Sequence, residues 1–77
     1  MPTLFEFKGF RFFFFSSDRN EPIHIHVEKD NCYCKFWINP VKLSYTTGFR
    51  SHELTVIRKV IENRKDIIEE KWNGFFS

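Results

Sequence analysis

The stretch "NEPIHIHVE", residues 20–28, sets two of the chain's three histidines, His24 and His26, two positions apart. On a strand such residues share a face about 6.5 Å apart, so two imidazoles can work on one group. Imidazole exchanges protons near neutral pH, which makes His24 and His26 the candidate catalytic acid and base. Arg11 and Lys35 are the candidate cations for a phosphate, and Tyr33 and Trp37 the candidate rings for stacking on bases. An alternative chemistry has both imidazoles converge on one metal ion. The plainest alternative is a polar strand face turned to water.

Which of these groups meet depends on register. Asp30 and Asn31 tolerate positive φ and are predicted to turn the chain between "IHIHVEK" and "CYCKFWI". Pairing then runs His24 with Trp37, His26 with Lys35, and Glu28 with Tyr33. One face carries Ile23, Ile25, Val27, Cys34, Phe36 and Ile38; the other carries His24, His26, Glu28, Tyr33, Lys35 and Trp37. A shift of one residue would bring Cys32 and Cys34 beside the histidines, as a zinc cluster needs. It would also expose Phe36 and Ile38, at a cost of about 1.5–3 kcal/mol each. The unshifted register is therefore expected, with reduced thiols on the apolar side.

The elements that position these groups follow from periodicity. "TLFEF" ends at Lys8-Gly9, and "FRFFFFSS" reads as a second strand. "SSDRNEP" is polar and reads as a loop, with Pro22 where the next strand can begin. After the hairpin, Asn39-Pro40 breaks the run and "VKLSY" reads as a fifth strand or a short arm. One long helix is predicted after "TTGF", with Ser51 as its N-cap, Glu53 in its first turn and Gly74 as its stop. Leu54, Ile57, Ile61, Ile68 and Trp72 make its apolar stripe, flanked by Val56, Val60 and Ile67.

Composition limits the rest. Seventy-seven residues suit one domain, and 11 Phe, 2 Trp and 2 Tyr offer more ring surface than one small core needs. That surplus calls for a second apolar surface, either a ligand face or an interface for a partner, with a homo-oligomer as one form of it. The formal charge of +2 gives no strong pull toward nucleic acid or membrane. No apolar run approaches 18 residues and no secretory leader is visible, so a soluble cytoplasmic protein is expected. "KGFRFFFF", residues 8–15, comes near the RNA-recognition strand motif but departs from it at Arg11 and Phe13. Phe10, Phe12 and Phe14 share one face and Arg11, Phe13 and Phe15 the other, and core or partner interface is the better reading for at least one set.

The blocks "MPTLFEFKGFRFFFFS", "NEPIHIHVE", "KFWINPVKL", "GFRSHEL" and "KWNGFF" occur in this order over nearly the whole chain. Together they resemble the domain of unknown function 4160 family of small bacterial and archaeal proteins. Members of that family often lie beside proteins of domain of unknown function 2442, in pairs regarded as toxin and antitoxin. The resemblance therefore implies a toxin-like protein with a small antitoxin-like partner, acting on RNA. Its recurrent positions fall here on Arg11, Asn20, Glu21, Pro22, His24, His26, Lys35, Phe36, Trp37, Pro40, Gly48 and Trp72. Ile23 stands where many members carry a second proline, and Cys34 where alanine is usual.

The combined expectation is an α+β domain, a mostly antiparallel sheet of four or five strands with one C-terminal helix on one face. Its function would be that of a metal-independent ribonuclease toxin, without cofactor, with His24 and His26 as catalysts. Arg11, Lys35, Tyr33 and Trp37 would hold the RNA. The alternative is a non-catalytic module that docks a protein through its aromatic sheet face.

Overall fold

In the computed structural model, which describes residues 3–76, Lys8 and Gly9 both take positive φ. That is the requirement of a tight two-residue hairpin, and it joins β1 (Thr3–Phe7) to β2 (Phe10–Phe13). A turn of 3₁₀ helix, Ser16–Asn20, leads to β3 (His24–Lys29). Asp30, with φ of 54°, then turns the chain into β4 (Cys32–Ile38), and a cis Asn39–Pro40 bond precedes β5 (Val41–Thr47). All neighbours are antiparallel, in the order β1-β2-β3-β4-β5. The expected register holds: His24 faces Trp37, His26 faces Lys35 and Glu28 faces Tyr33.

Two helices follow, α1 (Ser51–Asn63) and α2 (Lys65–Phe75), so the α+β architecture is present with its helix in two pieces. Arg64 makes the break; its backbone N–H reaches both Val60 and Ile61 carbonyls, and its guanidinium lies over the Phe5 and Phe7 rings. Ile57, Val60, Ile61 and Ile68 are buried against Phe10, Phe12, Phe14, Ile25, Val27, Cys34, Phe36 and Ile38. This core is all apolar, and its large side chains give it most of its stabilising burial. No helix among the described residues is long and apolar enough to cross a membrane.

Local boundaries differ from expectation in four places. The Phe strand stops at Phe13, because the Phe15 amide donates to the Asp18 carboxylate at 2.8 Å rather than to a neighbouring strand. The third strand starts at His24, not at Pro22. Arg50, not Ser51, is the N-cap of α1, and its amide donates to Glu53 Oε1 at 3.0 Å. Gly74 does not stop α2, which continues to Phe75 where the rings of Phe14, Trp72, Phe75 and Phe76 pack together. Of the flanking apolar residues, Val60 is buried whereas Val56 and Ile67 face solvent.

Candidate functional site

The second face of the sheet is closed where the histidines stand. His24 is 0% exposed and His26 4% exposed, so neither lies on a wet strand face. The cover is the Ser16–Asn20 turn together with surrounding rings. Phe13, Phe15 and Tyr33 pack around His26, while Trp37 and Trp72 pack edge-on against His24.

Asp18 organises the turn and the cluster together. Its backbone N–H donates to the Phe15 carbonyl, and its carboxylate accepts the Phe15 N–H in return. This reciprocal pair folds "SSDRN" back over β2 and β3 and buries the carboxylate. Asp18 Oδ2 then lies 2.9 Å from His26 Nε2 and 3.2 Å from His24 Nε2. The far nitrogens are anchored too, His24 Nδ1 2.8 Å from the Pro22 carbonyl and His26 Nδ1 2.7 Å from the Tyr33 hydroxyl.

Electrostatics assign the protons on His26 and Asp18. Burial pushes the His26 ring below its ordinary pKa of 6.5, and this outweighs the opposing pull of Asp18. Burial also raises Asp18, but the Phe15 amide, the His26 hydrogen bond and the two imidazoles prevail and hold the carboxyl below its ordinary value. A neutral His26 thus donates from Nε2 to an ionised Asp18. Its Nδ1 accepts from Tyr33, whose phenol burial keeps protonated. The Cys34 thiol is pushed up to about 12 by burial, which leaves it inert as nucleophile or ligand near neutrality.

The remaining predicted residues lie on the same face but are already engaged. Arg11 pairs with Glu28 at 2.7 Å and donates to Thr3. Lys35 pairs with Glu21 at 2.6 Å, and its ammonium holds that carboxyl below the usual range. Arg11 also lies over Phe13 and Lys35 over Trp37. Tyr33 splits its role, its hydroxyl on His26 and its ring near the exposed Tyr45. Trp37 lines a cleft of about 300 Å³ with Pro22, Ile23, Asn39, Pro40 and Lys42.

Asp18 is the residue that sequence reasoning missed. Composition made "SSDRN" a polar loop, and nothing in its spacing marks the carboxylate as facing residues six and eight positions further on. The available signal was the surplus of rings at Phe13, Phe15, Trp37 and Trp72, enough to roof a second face.

Fold and site together define a class: a small α+β domain with an antiparallel meander, helices on one face, and a closed Asp-His-His cluster on the other. The chain belongs to the family described as Domain of unknown function (DUF4160), whose model matches residues 9–73. No curated protein and no solved structure matches it.

Proposed function

We propose that this protein is the protein-binding member of a two-protein module of the toxin–antitoxin type, and that it docks its small partner through the aromatic sheet face. The observation that carries this reading is the state of the predicted catalytic groups. His24 and His26 are sealed, and Arg11 and Lys35 are each paired with a carboxylate. Acid and base must come within hydrogen-bonding reach of the substrate, which a closed roof prevents. The groups left open are those of an interface: Tyr45, the edges of Tyr33 and Trp37, and the cleft walled by Pro22, Pro40 and Lys42. Tyr and Trp give large contact area at small entropic cost. The cleft borders β5, an outer strand of the sheet, where a partner strand can add.

A second reading, single-stranded RNA on this same surface, draws support from the cations that lie over its rings, Lys35 4.5 Å from the Trp37 centroid and Arg11 4.1 Å from that of Phe13.

Coexpression with the protein encoded beside it tests the proposal. A Trp37→Ala, Tyr45→Ala double variant should keep its fold and lose at least about tenfold in affinity for that partner. RNA cleavage by the purified protein, lost in a folded His24→Gln, His26→Gln variant that still binds the partner, would overturn the docking reading in favour of a ribonuclease. Binding to RNA with a steep salt dependence, and none to the partner, would favour the second reading.

A further inference from the structure

We propose that Asp18, His24 and His26 form a binding site for one divalent first-row transition-metal ion, zinc being the ion that best suits them. The inference starts from one nitrogen. His24 Nδ1 is 2.8 Å from the Pro22 carbonyl, which has no proton to give, so Nδ1 carries the hydrogen and donates it. In the neutral ring Nε2 then bears a bare lone pair. That atom is fully buried, has no hydrogen-bond partner, and points at Asp18 Oδ2 3.2 Å away. Two electron-rich atoms held at this distance without a proton between them repel. A cation placed among them turns the repulsion into two bonds.

The rest of the cluster is arranged as such a cation requires. His26 Nε2 reaches the same Oδ2 at 2.9 Å, and one ligand atom from each of the three residues can be chosen within 4.8 Å of the others. Zinc bonds of 2.0–2.1 Å place tetrahedral ligand atoms about 3.3 Å apart, so the two short contacts open by a few tenths of an ångström and the two ring nitrogens, held within 4.8 Å, draw in around the ion. Each imidazole is also braced from behind, His24 by a backbone carbonyl and His26 by the Tyr33 hydroxyl, whose oxygen can accept a hydrogen bond from Nδ1–H when Nε2 is coordinated. This bracing fixes the tautomer and aims the ligand nitrogen. Two imidazoles with a single carboxylate favour zinc and its neighbours over magnesium or calcium, which seek more oxygens. Three protein ligands leave a fourth position for water.

Nothing in this inference depends on the docking proposal, since the cluster lies beneath the surface that would dock. A second proton on His24 would relieve the same clash, and the experiment separates the two. Untagged protein stripped with chelator is titrated with zinc chloride, with magnesium chloride as control. Calorimetry, thermal unfolding and the ¹⁵N shifts of the histidine rings are the readouts. One zinc per chain is expected, with a rise in Tm of about 10 °C at a hundredfold excess over Kd. The Nε2 shifts of His24 and His26 should move together, and magnesium should change nothing. Asp18→Asn should abolish the response. Tyr33→Phe, which keeps all three ligands, should retain the stoichiometry and weaken zinc about tenfold. Unmoved Nε2 shifts in the presence of zinc would overturn the site. So would protons on both His24 nitrogens with no zinc response, which would give the position to a proton.

Discussion

The two faces of this sheet are buried by different means. One face meets α1 and α2 through apolar side chains, mostly aliphatic and phenyl, from Phe12 and Phe36 to Ile57 and Ile61. The other is closed over polar groups, by a five-residue turn whose Asp18 gathers two imidazoles and a backbone amide. The first face is held by area and shape, and tolerates loss only in proportion to volume removed. The second is held by directional bonds among groups that are costly to bury unpaired. One face therefore holds the fold together. The other sets directional bonds around two imidazoles, and it is the face to which the docking and metal proposals assign a partner and an ion.

Substitutions on each face test this contrast. Phe12→Ala should cost about 3–5 kcal/mol, the largest effect, read as a lowered urea midpoint with an unchanged slope. Asp18→Ala should come next at about 3 kcal/mol in the metal-free protein, because it leaves the Phe15 amide and a buried imidazole N–H without an acceptor. An effect near zero would mean that the turn does not hold the face shut. The Trp37→Ala, Tyr45→Ala variant should lose partner affinity at least about tenfold and, because Trp37 also packs on His24, about 2 kcal/mol of stability. Tyr33→Phe should cost about 1 kcal/mol through the lost hydrogen bond to His26, measured by the same urea titration.

The mildest test is pH. His26 is held below its ordinary value, so the unfolded chain takes up that proton first as pH falls, and the folded state loses stability below about 6.5. Asp18 is also held low, so its contribution is intact above 3.8 and declines as pH falls through its lower folded value. The urea midpoint of the metal-free protein should fall between pH 7 and pH 5, and His26→Gln should flatten that slope. A rising midpoint would contradict the neutral state of His26.

Much of the apolar face was legible in the sequence because its signals are local. Alternation in "IHIHVEK" and "CYCKFWI", with Asp30-Asn31 between, suffices for the register, and the helical stripe sends Ile57, Ile61 and Ile68 inward. The closed face was not, because its cause is tertiary. Each Phe of residues 12–15 has the same strand preference, so nothing within the run marks its end; the Asp18 carboxylate ends it by taking the Phe15 amide. The helix break at Arg64 carries no Gly or Pro and accompanies the seating of its guanidinium on Phe5 and Phe7, far away in sequence. The shared side of His24 and His26 was correctly read. Whether that side was wet or sealed depended on a loop that composition alone called polar.

The claim on which the rest depends is that these two histidines are sealed beneath the sheet's second face while His52 is open. Exchange of the imidazole C2 proton for deuterium, followed by mass spectrometry at each of the three histidines, measures this directly. His24 and His26, both buried, should exchange at least about tenfold more slowly than the exposed His52. Exchange at His24 and His26 as fast as at His52 would show an open face, and would return both histidines to the role of accessible acid and base.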